Sequence, residues 1–496
     1  MMPIMPIKIC RALLLITHQT KNILALTAAI SLGIVSTSCA TFHEVSLPGM
    51  SAAPASTDNV SPGANASISN DPNFWQGDNA SIWARLQPFT QTELTNAISQ
   101  NPNALSIGWL KLALISKEAS LSSAALSSQL LAWRKSFPDH PANSMLPNND
   151  TLMTLQTAQA TQHIALLLPL QGNLGHSGQL VRAGFLNSYY ATAHTNDQTV
   201  SFYDTSLNKN IPALYQQAVA EGATAIIGPL TKEEVRALLN QTISVPTLAL
   251  NYTTESFSSL PTHFYEFGLL PQDEALQLAD KAWANGHKHA LIITPQTPWG
   301  QQMLATLQAR WVSLGGSVVD KLAFGPSTNF ATSIADLLKV DIKQDRKKMQ
   351  SENNKALLEQ QRRQDFDVIF LLAQPVVARQ IVPLLHYYYA ESIPVYSTSI
   401  IYSGTPSPQK DGDLNGVTFC DAPWIFKIAH NEITAPSNVD RLYAVGQDAF
   451  LLSQQFNRLA ALPEFPFYGA TGALYLNAQH KFYRRLPWSQ FHAGKP

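Results

Sequence analysis

Residues 163–190 read HIALLLPLQGNLGHSGQLVRAGFLNSYY. The apolar run Ile164 to Leu168 has strand length and stops at Pro169. A loop with Gly172, Gly175 and Gly178 follows, and an amphipathic helix starts near Ser177. This is the signature of a buried parallel strand feeding a helix through a glycine turn. In an open α/β sheet, ligands sit outside the carboxyl ends of the strands, so Gln171, Asn173 and Ser177 in this first turn are candidate ligand contacts.

Outward from this stretch the same rhythm repeats. Val200 to Tyr203, Ala225 to Ile227, Thr247 to Leu250, Ala290 to Ile293, Ser317 to Phe324, Val368 to Leu372 and Pro394 to Tyr396 are short β-rich runs. Helix patterns separate them: Ile211 to Ala220, Lys232 to Leu239, Gln272 to Ala284, Gln301 to Leu314 and Pro375 to Tyr388. Such alternation predicts parallel sheets covered on both faces. The span from 159 to 496 is too long for one sheet, so two lobes with a cleft are expected. Tyr387, Tyr388 and Tyr389 are consecutive and cannot all face one core, so at least one lies at an interface or the surface.

The first 39 residues read as a targeting segment. Lys8, Arg11 and Lys21 supply a positive region, and Ile23 to Val35 is apolar but too short to span a bilayer. Ser36, Thr37 and Ser38 then precede Cys39, which resembles a bacterial lipobox in which the cysteine receives the lipid. Leu is preferred three residues before that cysteine, where this chain has Ser36. The alternative is an ordinary secretory signal. Ala40 rather than Asp follows, which in lipoproteins implies delivery to the outer membrane. Of the three cysteines, cleavage removes Cys10 and acylation consumes Cys39, so Cys420 has no disulfide partner. More than one acyl chain anchors firmly, since a single chain binds only marginally.

Residues 40–71 are rich in Ser, Ala, Pro, Asn and Gly and read as a tether with a coil span of ~30 Å and a stretched limit of ~100 Å. Residues 72–158 read as helical: Thr90 or Thr92 caps a helix that runs to Ser99, Leu105, Trp109, Leu112 and Ile115 mark a second, and Leu121 to Phe137 a third. The helix pairs are similar to tetratricopeptide units without a clean 34-residue period. An interaction module and a helical spacer are both consistent with this. Asp341 to Asp365 interrupts the α/β rhythm with Lys343, Arg346, Lys347, Lys348, Lys355, Arg362 and Arg363, either as a solvated helical excursion or as a docking surface. The 33 Lys and Arg nearly balance the 34 Asp and Glu, so no net basic field favours a nucleic-acid partner.

Several blocks in order carry a resemblance. IIGPLTKEEVRALL and LALNY follow the opening strand and helix. FDVIFLLAQPVVARQIVPLLHYYYAESIPVYSTS, LNGVTFCDAPWIF, RLYAVGQDAFLL and GATGALYLNAQHKFYRRLPWSQFHAGKP complete the chain, with LLAWRKSFPDHPANSMLP upstream. Together they resemble the type I periplasmic-binding-protein fold and, more closely, the LpoA-type activators of penicillin-binding proteins. The resemblance implies a bilobed domain of two doubly wound parallel sheets behind a small all-helical, TPR-like domain. It also implies that the partner is a class A penicillin-binding protein, a bifunctional peptidoglycan synthase. That family's helical region is usually much longer than the ~85 residues found here, so most of its repeats are missing.

Further positions that follow β runs are Asn251, Tyr252, Trp299, Ser397, Thr398 and Asp421. In solute-binding relatives, hydroxyls and backbone N–H groups there hold an amino-acid carboxylate while an acid holds its ammonium. Helix caps and turns use the same residue types. No His-Glu-x-x-His, Cys-x-x-Cys or Walker loop occurs, so no metal or nucleotide cofactor is expected. Ser206 and Lys209 fit Ser-x-x-Lys, but neither Ser-Asp-Asn nor Lys-Thr-Gly accompanies them. The expectation is a non-enzymatic outer-membrane lipoprotein that activates a peptidoglycan synthase. The alternative is a lipoprotein that binds or senses an amino-acid-like solute.

Overall fold

The computed structural model describes residues 74–496 apart from 102, 119–121, 158–160, 193–197, 254–259, 342–361, 434–439 and 463–464. The targeting segment, Cys39, the tether and most of the basic stretch after Asp341 lie outside the described residues.

Among the described residues five short α-helices come first: α1 (Asn79–Leu86), α2 (Gln91–Gln100), α3 (Ala104–Ser116), α4 (Ser123–Ser136) and α5 (Asn149–Thr157). Thr90 caps α2 in a reciprocal box with Glu93, each satisfying a backbone N–H that the helix leaves open. Trp83, Trp109, Leu110, Leu126 and Trp133 form their core, and Leu462 and Phe465 from the far end of the chain complete it.

In the first lobe, β1 (His163–Leu168), β2 (Thr199–Asp204), β3 (Ala225–Ile227), β4 (Thr247–Ala249) and β5 (Phe264–Glu266) make a parallel sheet ordered β2-β1-β3-β4-β5. α6 (Gly175–Ala191), α7 (Ile211–Ala220) and α8 (Lys232–Leu239) connect its strands. In the second lobe, β6 (His289–Pro295), β7 (Ser317–Phe324), β8 (Val368–Leu371), β9 (Val395–Ser397) and β10 (Thr418–Cys420) repeat that order as β7-β6-β8-β9-β10. Among the described residues its longer helices are α9 (Pro271–Ala284), α10 (Pro298–Ser313), α11 (Phe330–Leu338), α12 (Pro375–Tyr387) and α13 (Pro423–Ala429). Both sheets reverse their winding between the first and third strands, which opens a crevice at the carboxyl ends there. This is the bilobed, doubly wound arrangement of periplasmic-binding proteins.

Residue alternation along the strands explains why both sheets are covered twice. Ile164, Leu166 and Leu168 join Val181 and Phe185 of α6 on one face, while Ala165 and Leu167 join Leu214 and Tyr215 of α7 on the other. In the second lobe Leu291 and Ile293 face one core, Ala290 and Ile292 the other. All five apolar residues of β1 are fully buried, and each large aliphatic side chain contributes about 1.5–3 kcal/mol, which offsets the about 1–2 kcal/mol per residue of backbone ordering. A charge at Leu166 would break this strand, since neither face offers it a partner.

The first βα turn is built alike in both lobes. A Cβ on Gly178 would fall 1.8 Å from the carbonyl oxygen of Pro169, and one on Gly300 would fall 2.0 Å from that of Pro295. Only glycine lets these helices sit so close to the strand that precedes them.

After α13 the chain returns to the first lobe as α14 (Arg441–Ser453) and α15 (Phe456–Ala461), followed by an antiparallel sheet of β11 (Phe467–Tyr468), β12 (Ala473–Leu476) and β13 (Phe482–Arg485). Val445, Phe450, Leu459, Leu474 and Phe482 bury themselves in the first lobe's core. β14 (Trp488–Gln490) then crosses back and pairs antiparallel with β10. The chain thus passes between the lobes after β5, between α13 and α14, and between β13 and β14. Of the three consecutive tyrosines, Tyr388 and Tyr389 are buried and Tyr387 is half exposed.

Candidate functional site

The first turn is held from beneath by Asp204 at the end of β2. Its carboxylate accepts from the N–H of Leu170 at 3.0 Å, from Gln171 Nε2 at 3.2 Å and from the N–H of Ser206 at 2.9 Å. These hydrogen bonds hold the carboxyl below the ordinary carboxylate range, although burial opposes them. Gln171 and Asn173 are exposed and Ser177 is half-buried. Ser206 also hydrogen bonds Asp204, so the Ser-x-x-Lys serine serves the turn.

The other candidate positions make contacts within the protein. Asn251 donates to the Leu230 carbonyl at 2.9 Å and accepts from the N–H of Tyr252 at 2.9 Å. The Tyr252 hydroxyl, buried and with its pKa pushed up chiefly by that burial, donates to the Phe482 carbonyl at 2.7 Å. Trp299 packs partly buried against the second lobe's core. Ser397 is fully buried and donates to the Leu371 carbonyl at 2.6 Å. The Thr398 hydroxyl is buried without a hydrogen-bond partner among the described residues. Asp421, at the end of β10, is fully buried and accepts from Arg441 Nε at 2.7 Å, from Arg441 Nη2, and from the N–H of Ala422 at 2.7 Å. Burial pushes this carboxyl up against the pull of Arg441.

That ion pair belongs to a continuous buried network between the lobes. Arg441 Nη2 donates to the Ser399 and Tyr402 carbonyls, both at 3.0 Å. The N–H of Ser399 donates to Glu274 Oε2 at 2.9 Å, and Glu274 Oε1 meets Arg484 Nη2 at 3.3 Å. The N–H of Arg484 donates to Asp273 Oδ2 at 3.1 Å, and Arg484 Nη1 donates to the Thr471 carbonyl at 3.3 Å. Thr471 Oγ1 and N–H donate to Asp448 at 2.6 and 2.8 Å, with the N–H of Ala470 adding a third donor at 2.6 Å. Of the four carboxyls, Asp421 meets the Arg441 guanidinium and Glu274 that of Arg484, whereas Asp273 accepts from the Arg484 backbone N–H and Asp448 from Thr471 and Ala470. Burial pushes Asp273 and Asp448 up to about 6 against the pull of Arg484 and of their hydrogen bonds.

Each passage between the lobes supplies part of this network. Asp273 and Glu274 open α9 after the first passage, Arg441 opens α14 after the second, and Arg484 lies in β13 before the third. Sequence reasoning picked out Asp421 and missed Arg441, Arg484, Glu274 and Asp448, whose partners lie 13 to 211 residues away. The one local signal was the acid pair Asp273-Glu274 at a helix start, which reads equally as a favourable first turn.

Beside the network lies a groove of about 640 Å³ whose walls include Trp424, Lys427, Tyr443, Gln447 and Gly469. The Trp424 and Tyr443 rings stack at 5.1 Å across the two lobes. Among the described residues no group of three or more His, Cys, Asp or Glu is placed to hold a metal ion. Cys420 is buried, and burial pushes its thiol well up, away from the nucleophilic thiolate. Among the described residues no helix is long and apolar enough to cross a membrane.

Comparison with known proteins agrees with this architecture. The chain is 27% identical over 434 residues to the penicillin-binding protein activator LpoA of Photobacterium profundum, covering 84% of this chain and 69% of the relative. Crystalline full-length LpoA from Haemophilus influenzae is similar with a TM-score of 0.55 and 26% identity, covering 84% of this chain and 73% of that one. The C-domain of the same organism's LpoA, described as a regulator of PBP1A, matches 67% of this chain and 98% of its own length, with a TM-score of 0.52 and 26% identity. A family model described as "LppC putative lipoprotein" matches residues 68–494, and the chain belongs to that LppC lipoprotein family.

Proposed function

We propose that this chain is an outer-membrane lipoprotein, anchored through Cys39, that binds a bifunctional class A penicillin-binding protein and stimulates peptidoglycan synthesis and cross-linking. The observation that carries the reading is the similarity to relatives named as penicillin-binding protein activators along 84% of the chain. The regulator description attached to the C-domain neighbour supports a role for the bilobed part. The chain itself performs no bond chemistry in this reading: polymerisation and cross-linking stay on the synthase. Activation requires only that the chain bind the active conformer of its partner more tightly than the inactive one, and a tenfold preference amounts to about 1.4 kcal/mol of coupling.

The test uses the full lipidated chain in detergent with solubilised class A synthases. Co-purification and increased cross-linking are expected. Absence of binding together with unchanged cross-linking overturns the activator reading. Release of Cys39→Ser from the outer-membrane fraction is expected if that residue carries the lipid; retention overturns the anchor.

A further inference from the structure

We propose that Arg441 and Arg484 clamp the two lobes at one fixed angle, with the Arg441 guanidinium as the built-in occupant of the inter-lobe carboxylate Asp421, so that the lobes do not close on a solute.

The argument starts from where the partners are rooted. Arg441 opens α14, whose Val445, Ala449 and Phe450 belong to the first lobe's core. Close backbone contact between Gly446 and Val181 fixes that helix to α6. Asp421 sits at the end of β10 in the second lobe, between the fully buried Phe419 and Cys420 and the buried Trp424. The pair therefore joins the lobes, and it does so through two nitrogens of one guanidinium on both oxygens of one carboxylate. Such a fork is directional, and a hinge rotation would break it.

The second clamp is rooted in the same way. Arg484 lies in β13, beside the first lobe, and Glu274 in α9, inside the second. Arg484 is 2% exposed and Glu274 7%, so the pair is desolvated, and truncating either side chain would leave the other charge buried without its partner. Ser399 ties the clamps together, since its N–H serves Glu274 and its carbonyl serves Arg441. The Trp424–Tyr443 stack is a third, uncharged link across the same boundary.

A solute-binding domain of this shape works by leaving its inter-lobe acids free for a ligand and its passages free to bend. Here the acid expected to take an ammonium group already holds a cation from its own chain. Every passage also carries a member of the network. This inference is independent of the partner proposed above, because it concerns motion within one chain.

The experiment places non-cysteine spectroscopic labels at the exposed positions Leu207 and Val312, one in each lobe, in the full chain, and measures the distance distribution between them. The wild-type chain should give a single narrow distance, unchanged by a saturating mixture of the twenty amino acids. Arg441→Ala should add a second, longer distance, and millimolar ethylguanidinium, which refills the site at Asp421, should remove it. Arg441→Lys keeps a cation without the fork and should give a broadened distance. A broad or two-state wild-type distribution overturns the proposal, as does a wild-type shift with amino acids or a narrow, unshifted distance in Arg441→Ala. If Arg441→Ala does not fold, the wild-type and Arg441→Lys distributions decide by the same criteria.

Discussion

Gly184 of α6 and Gly446 of α14 lie back to back. A Cβ on Gly184 would fall 1.9 Å from the Tyr443 carbonyl oxygen, and one on Gly446 would fall 2.0 Å from that of Val181. Both obstacles are backbone, which cannot rotate away as a side chain can, so the two helices must part to admit a methyl group. Overpacking typically costs 1–3 kcal/mol, and the rigid neighbours here put Gly184→Ala and Gly446→Ala at about 3 kcal/mol or more. Gly412→Ala is the control, because nothing lies within 4 Å of its Cβ position and its φ of −55° suits any residue. Urea midpoints should fall for the first two variants and stay near wild type for the third. Equal midpoints for all three would show that α6 and α14 do not pack as described.

Phe465 lets the C-terminal part of the chain complete the core of the helical part. It is 2% exposed and its ring lies 5.0 Å from that of Trp83 in α1. Phe465→Ala should cost about 3–5 kcal/mol, and the loss should fall on α1 to α5 before either sheet. Hydrogen exchange read by peptide should show faster exchange in residues 79–157 with β1 and β6 still protected. Uniform loss across the chain would mean that the helical part and the lobes unfold as one unit.

Much of the fold was legible because its causes are local. The run Ile164 to Leu168, ended by Pro169 and followed by Gly178, announces a strand and its close-packed helix, and Ala290 to Ile293 with Gly300 does so again. The exposed-to-buried rhythm of Phe482–Arg485 was equally local, but four residues are too few to separate a strand from a loop. α1 escaped notice because it is only eight residues long and its cap is a single Asp78 carboxylate. Arg362 and Arg363 read as part of a basic stretch, yet Arg362 donates to the Tyr389 carbonyl at 2.8 Å and Arg363 meets Asp320 at 2.8 Å, so both tie elements together. The inter-lobe network was out of reach for the opposite reason. Arg484 and Glu274 are 210 residues apart, and only the folded passages bring them together.

Lys117, at the end of α3, is trapped where the helical part meets the first lobe. Its ammonium donates to the Gln87 carbonyl at 2.8 Å and to the Tyr468 hydroxyl at 3.0 Å, and it lies 4.2 Å from the centre of the Tyr468 ring. Burial lowers its pKa to about 8, with Glu93 opposing. In the unfolded chain the group titrates near 10.4, so between about pH 8 and pH 10 the unfolded state binds more protons and stability rises with pH. Lys117→Met keeps the stem's packing and removes the buried charge, so it should be as stable as wild type at pH 7 or more so, and the rise between pH 8 and 10 should vanish. Melting profiles of both proteins over that range test this, and parallel profiles would contradict it.

Asp273 and Asp448 give the inter-lobe network a pH dependence of the opposite kind. Asp273 faces Arg484, which attracts its charged form, and Glu274, which repels it; Asp448 faces Thr471, Ala470 and Arg484. Burial outweighs these neighbours and pushes both carboxyls up to about 6. Their unfolded pKa is near 3.9, so between about pH 4 and pH 6 the native state holds protons that the unfolded chain has released. The stability they contribute is fully present below the unfolded pKa and is lost as pH rises through 6. Asp273→Asn isolates the effect, because its amide oxygen can still accept from the N–H of Arg484. The difference in stability between wild type and Asp273→Asn should move in favour of wild type by on the order of 2 kcal/mol as the pH falls from 7.5 to 4.5. Carboxylates elsewhere, such as Asp320 and Asp365, titrate identically in both proteins and cancel in that difference. A difference that stays constant over this range would mean that Asp273 keeps an ordinary carboxyl pKa in the folded chain.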